Sequence, residues 1–232
     1  MNSQMLMPGA TLDVVAKTIP VVISWSLVGA LEHFELQESA SGGAFAAVPL
    51  ALPTATSATL TLQLPLTGVK TLPSYQFQVR ACNGTLCSPW VLGAKFTVQT
   101  VDNTTSTSYS GPWSGVNLAG AYNGSVQAAS LSSPTKPTTA RLANPLTFTT
   151  TTGSFAWIAT LGPDRGLATI SIDGGAAVTV DLYSATLQTA RVVFARNDLG
   201  PGQHTVTITV LQQRNALSTG TRVDHDAFVA LT

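Results

Sequence analysis

Charge is scarce in this 232-residue chain. Asp, Glu, Lys and Arg make up 9% of it, against roughly 25% in ordinary soluble domains. Eleven basic residues balance 11 acidic ones, so the formal net charge is zero. Without a net positive field the surface does not gather a polyanion, which argues against nucleic-acid partners. No charged tail is present, and 44% hydrophobic residues is too many for a disordered chain. Long apolar runs are missing as well. The longest, Thr18 to Leu31, covers about 14 residues and is broken by Pro20, Ser24, Ser26 and Gly29; a spanning helix needs roughly 20. No membrane insertion is therefore expected. The opening MNSQMLMPGATLDV has neither a basic n-region nor an apolar h-region, so no secretory signal is read there.

Catalytic groups are equally sparse. The three histidines, His33, His204 and His225, each begin or lie within a strand-like stretch, and none neighbours a nucleophile elbow. Gly111-Pro-Trp-Ser-Gly115 departs from that elbow because Ser114 comes one position late. Glycoside hydrolysis needs two carboxylates across the scissile bond. Glu32, Glu35 and Glu38 crowd one strand, however, and the second half of the chain has no Glu at all. The expectation is a protein that is not an enzyme. The only cysteines, Cys82 and Cys87, flank an Asn83-Gly84 turn. They suit a disulfide across a hairpin, with two reduced, partly buried thiols as the alternative. A zinc site has no second Cys/His pair to draw on.

What the chain has in abundance is two-residue alternation. Val206, Ile208 and Val210 alternate with Thr205, Thr207 and Thr209. Leu60, Leu62 and Leu64 alternate with Thr59, Thr61 and Gln63, and Tyr75, Phe77 and Val79 with Gln76, Gln78 and Arg80. Half-buried antiparallel strands read this way. Turn signals recur at Ser41-Gly-Gly43, Asn83-Gly84, Gly162-Pro-Asp-Arg-Gly166, Asp173-Gly-Gly175 and Gly200-Pro-Gly202. Leu12 to Lys17 is the nearest approach to a helical pattern. The fold class read from this is all-β, with two tandem antiparallel β-sandwiches. The segments are a lead-in over 1–17, a sandwich over 18–100, a polar linker over 101–108 and a second sandwich over 109–232.

Within the first sandwich, Val22-Ile-Ser-Trp-Ser26, Phe34-Glu-Leu-Gln-Glu38, Tyr75-Gln-Phe-Gln-Val-Arg-Ala-Cys-Asn83 and Cys87-Ser-Pro-Trp90 resemble a bacterial fibronectin type III domain. Trp25 and Tyr75 sit on the apolar phase and are read as core. In the second, Tyr109-Ser-Gly-Pro-Trp113, Phe155-Ala-Trp-Ile-Ala-Thr-Leu-Gly-Pro-Asp-Arg-Gly166 and Ile172-Asp-Gly-Gly175 come first. Val180-Asp-Leu-Tyr183, Gly202-Gln-His-Thr-Val206 and Val223-Asp-His-Asp-Ala-Phe228 follow. Together they resemble a galactose-binding-like, carbohydrate-binding jelly roll of bacterial surface proteins. That resemblance implies a sugar ring stacked on an aromatic face. Of Tyr109, Trp113, Tyr122, Trp157 and Tyr183, the best placed are Trp113 and Tyr122, in Gly-rich surroundings, while Trp157 is read as core. Asp164 and Arg165, at the tip of the Gly162–Gly166 loop, either hydrogen-bond sugar hydroxyls or pair with each other to pin the turn. The resemblance also implies a structural calcium on an acid near the final strand. Asp224 and Asp226, two apart on one side of a strand, match that place. An acid near the first strand is missing, so the other reading is that Asp226 caps a turn or pairs with Arg222.

Two functions follow as expectations. The first is a non-catalytic binding or adhesion module outside the cell or on its surface. Its jelly roll takes a cell-surface or matrix polysaccharide, and the fibronectin-like part acts as spacer. Abundant Thr, Ser and Gly with little Lys and Glu suit an extracellular protein whose signal was removed or which leaves by another route. The second is a structural or decoration protein of a bacteriophage capsid or tail, or of a surface filament, exposed on the virion and partnered by other structural subunits. Met1 and a natural end at the last strand suit a complete small gene product of that kind.

Overall fold

The computed structural model describes residues 3–26, 31–65, 71–104, 107–130 and 145–232. It is all-β, with no α-helix among the described residues and a single 3-10 turn at Tyr122–Gly124. Leu12–Lys17 is a turn, not a helix. The Asp13 carboxylate accepts from the Val15 and Ala16 N–H groups at 2.9 and 2.8 Å, and Asp13 and Thr18 exchange backbone hydrogen bonds. A side chain that satisfies nearby amides in this way competes with helix.

The first sandwich packs a three-stranded sheet on a four-stranded one. β1 (Ser3–Leu6), β2 (Thr18–Ser24) and β5 (Ser57–Gln63) form the order β1–β2–β5; the facing sheet runs β4 (Ala46–Val48), β3 (His33–Ala40), β6 (Ser74–Asn83), β9 (Phe96–Asp102). The short β7 (Leu86–Cys87) and β8 (Val91–Leu92) also pair with β6. Ile19, Val21, Ile23, Leu36, Phe77 and Val98 point inward, and Trp25 meets Phe34 edge-on at 5.8 Å. Tyr75 is core, as its phase predicts. Pro20 is tolerated in β2 because β1 pairs only from Val21 onward, so no neighbour on that side asks Pro20 for an N–H. Cys82 and Cys87 are joined across the β6–β7 hairpin, with S–S 2.04 Å.

The second sandwich has one five-stranded sheet, β10 (Thr107–Tyr109), β13 (Pro145–Thr150), β18 (His204–Val210), β15 (Leu167–Ile172), β16 (Val178–Asp181). Its opposite layer is built from β17 (Gln188–Arg196), β14 (Ser154–Leu161) and β20 (Ala227–Leu231). A third sheet orders β11 (Ser114–Asn117), β12 (Ser125–Ala129) and β19 (Val223–His225). Phe148 stacks on Phe228 at 4.3 Å, beside fully buried Phe155 and Trp157.

Strand β9 joins the two. Its first residues pair with β6, and Val98 to Asp102 pair with β20, so one nine-stranded sheet runs through both sandwiches. Val101 and Asp102, assigned to the linker by composition, belong to this strand. Residues 3–12, read as a lead-in, also pack into the body. Leu6 and Leu12 are buried, and Gly9 and Leu12 donate backbone N–H groups to Val192 and Ala190 of β17. β14 and β20 are consequently covered on both faces. Phe155, Trp157 and Phe228 face the second core, while Ala156, Ile158, Ala227 and Val229 face a cluster shared with the first. A strand wrapped on both sides reads as a continuous apolar run, as Phe155–Ala159 and Ala227–Leu231 do.

Candidate functional site

Three loops meet at one end of the second sandwich. The β14–β15 loop carries Gly162-Pro-Asp-Arg-Gly166, closed as a turn by the Arg165 N–H to the Gly162 carbonyl (3.3 Å). Gly162 forms a bridge with Tyr183, donating to Leu182 O at 3.1 Å and accepting from the Ser184 N–H at 3.1 Å. From the third loop, Thr219 N–H donates to Pro163 O (2.8 Å), Ser218 Oγ donates to Arg165 O (2.7 Å), and Gly166 N–H reaches Arg222 O (2.8 Å). The backbones come so close that glycine is required. A Cβ on Gly166 would lie 2.7 Å from the Thr221 backbone, and one on Gly220 would lie 2.6 Å from Asp164 O. Gly166→Ala is therefore expected to cost about 1–3 kcal/mol, seen as a lower midpoint in urea unfolding.

Beneath the loops lies a buried ionic cluster. Asp224 on β19 is fully buried; its Oδ1 accepts from Arg222 Nε at 2.6 Å, and its Oδ2 lies 2.7 Å from an Arg165 terminal nitrogen. The other terminal nitrogen of Arg165 contacts Asp164. Arg165 is only 3% exposed, so the reading that put its guanidinium at the loop tip is corrected. Desolvating a guanidinium is costly unless carboxylates surround it, and here two do. Asp164 remains half-exposed at the rim. Tyr183, on the loop bridged to Gly162, is half-buried, with its N–H bound by the Asp181 carboxylate at 2.9 Å. Asp181 also accepts from Asn215 Nδ2 (2.7 Å), tying the second loop to the third. Leu187 and Leu217 are exposed on the same loops.

The other two aromatic candidates lie elsewhere. Tyr122 is 2% exposed, and its hydroxyl donates to Pro65 O (3.2 Å) and lies 3.0 Å from Thr100 Oγ1. Lys17 Nζ sits 4.4 Å above its ring. Tyr122 therefore pins one sandwich to the other, and the expectation of a ring open to sugar is corrected. Trp113 is half-buried against Tyr109 (5.3 Å), which in turn faces His225 at 6.1 Å. Both belong to an aromatic cluster, not to the three loops.

Asp224 and Asp226 do not cooperate on a cation. Same-side placement assumes a continuous strand, but the chain leaves the β12-paired sheet at His225 and joins β14 from Ala227. Asp224 is held by two arginines. Asp226 accepts the Tyr122 N–H at 3.0 and 3.1 Å. Burial pushes its pKa up to about 8; the Tyr122 N–H and Lys17 pull it down, while Asp102 and Asp224 push it up further. With Asp224 committed to two arginines and Asp226 turned to the Tyr122 N–H, the two carboxylates do not offer calcium a shared set of oxygens. His225, fully buried, is pushed down to about 3 by desolvation. Among the described residues, His33, Glu35 and Cys82 are the one trio of metal-ligand types that converges, and the Cys82 sulfur is spent in the disulfide.

No protein-family model matches the chain, nor does the sequence of any curated protein. Among solved structures, a family 35 carbohydrate binding module from Clostridium thermocellum is similar at 14% identity, over 56% of this chain and 97% of that one, with a TM-score of 0.32. An exo-beta-1,3-galactanase from Phanerochaete chrysosporium matches at 13% identity over 98% of this chain and 57% of its own, with a TM-score of 0.37. A Paenibacillus xanthan lyase matches at 11% identity over 92% of this chain, with a TM-score of 0.39; the chain spans 24% of that enzyme.

Proposed function

We propose that the chain is a non-catalytic glycan-binding module of the cell exterior. The second sandwich contacts a polysaccharide through its three-loop end, and the first serves as spacer. One observation carries this reading: Asp164 and Tyr183, both partly open to solvent, sit on two loops tied together by the Gly162–Tyr183 bridge and by glycine-only contacts. An aromatic ring and a carboxylate on adjoining loops offer a C–H stacking surface and a hydroxyl acceptor on a preformed frame. Of the acids at this end Asp164 and Asp181 are open to solvent, while Asp224, Asp226 and His225 below them are buried, so no buried carboxylate or imidazole opens onto the loop surface, which favours binding over bond cleavage. The three-on-four strand order of the first sandwich is in keeping with a fibronectin type III-like spacer. The Cys82–Cys87 bridge is in keeping with an oxidising location. Affinity electrophoresis through gels containing galactan, xylan or xanthan tests the proposal. Tyr183→Ala should weaken retardation roughly tenfold, equal to about 1.4 kcal/mol. An unretarded parent protein, or equal retardation of parent and Tyr183→Ala, would refute it.

A further inference from the structure

A second site lies on the outer face of the first sandwich. Along β3 the side chains alternate, Phe34 and Leu36 inward, Glu35 and Gln37 outward. Register sets Glu35 opposite Arg80 and Gln37 opposite Gln78 on β6. Both pairs close: Arg80 holds one Glu35 oxygen through Nε at 2.7 Å and a terminal nitrogen at 2.6 Å, and Gln78 Nε2 donates to Gln37 Oε1 at 2.7 Å. Trp90, from the segment that leads into β8, lays its indole 4.6 Å from the Arg80 guanidinium. The ring is thereby anchored while staying half-exposed. Opposite it, the chain leaves β4 through Pro49 and Leu50. Trp90, Pro49, Leu50, Glu35 and Gln37 line a half-open cleft of about 400 Å³, within the ~300–1,000 Å³ span of small-ligand sites.

We infer that this cleft binds a single neutral pyranose residue of a glycan. Three features select that class. The indole on one side and the proline and leucine on the other present apolar walls to the C–H faces of a ring. Glu35 and Gln37, two residues apart along β3 and so about 6.6 Å from each other, supply acceptors, and the Gln37 amide nitrogen a donor. Arg80, paired with Glu35 from outside the lining, offsets the carboxylate's charge, so neither an anionic nor a cationic ligand gains from the cleft. The site shares no residue with the Asp164–Tyr183 end and does not depend on it.

The test is a 1H–15N correlation titration of the full chain with methyl β-glucoside, methyl β-galactoside and methyl β-xyloside at millimolar concentrations. Saturable shifts are expected at the Glu35 and Gln37 amides and at the Trp90 indole N–H with at least one of the three. Trp90→Ala should weaken that titration roughly tenfold, and Glu35→Gln should weaken it while the dispersed spectrum reports an intact fold. The amides of Asp164 and Tyr183 report the loop end in the same spectra, so the two readings fail separately. No saturable shift at Glu35, Gln37 and Trp90 with any glycoside would overturn the inference, as would a folded Trp90→Ala or Glu35→Gln protein with unchanged affinity.

Discussion

Asp224→Ala is expected to destabilise the protein by about 3–5 kcal/mol, because it strips the deepest counter-charge from a buried arginine. Arg165 is 3% exposed and Asp224 fully buried. Arg222 loses its 2.6 Å partner at the same time. Asp164, half-exposed at the rim, replaces little of that interaction, since water competes for it. Equilibrium unfolding in urea reads the effect as a fall in midpoint at unchanged slope. Pairing Asp224→Leu with Arg165→Met should recover most of the loss, since two apolar groups of similar volume leave no uncompensated charge behind. If Asp224→Ala were within about 1 kcal/mol of the parent, the cluster would be hydrated in solution and the account of the loop frame would fail.

Asp226→Asn is expected to act through pH. The folded protein keeps a proton on Asp226 up to about pH 8 that the unfolded chain releases near 3.8. Folding therefore takes up a proton across that window, and stability falls as pH rises. His225 works in the opposite sense. The unfolded chain binds a proton below 6.5 that the buried imidazole refuses down to about 3, so stability rises with pH between those values. The two slopes offset each other from about 3.8 to 6.5, leaving Asp226 to act alone of the pair up to about 8. One proton corresponds to roughly 1.4 kcal/mol per pH unit, hence roughly 2 kcal/mol over that upper window. Half-buried His204, raised by its hydrogen bond to Asp173, also loses its contribution as pH climbs. The informative quantity is therefore the difference between parent and Asp226→Asn. The variant's advantage over the parent should grow as pH rises, by roughly 2–3 kcal/mol between pH 6 and pH 8, because His225 is common to both and cancels in the difference, measured by urea unfolding at each pH. A constant difference across that range would mean that Asp226 is ionised in the fold.

Strands were legible because their pattern is local. The Thr/Val alternation of β18 and the Leu/Thr alternation of β5 need only one wet face and one dry one. The inward positions of Trp25, Tyr75 and Trp157 follow from the same phase. The loop that carries Asp164 announced itself through two glycines and a proline, whereas its bridge to the Tyr183 segment joins residues far apart in the chain and leaves no local signal. Arg165 was placed at the surface because charged side chains are almost never buried unless paired, and its partner, Asp224, lies far along the chain. Tyr122 was misplaced for a similar reason. Its Gly-rich neighbours mark a turn, but what covers that turn is the other sandwich, through Pro65, Thr100 and Lys17.

The apolar runs Phe155–Ala159 and Ala227–Leu231 held one further clue, since unbroken hydrophobicity signals a strand covered on both faces. Composition and two-residue periodicity were enough to establish an all-β chain, its turns and most of its inward-facing residues, because each depends on neighbours a few positions away. How β9 stitches one sheet through both sandwiches, how residues 3–12 close over β17, and which ionisable groups end up dry depend on contacts between distant segments. Those were settled only when the folded chain brought a second surface down on each of them.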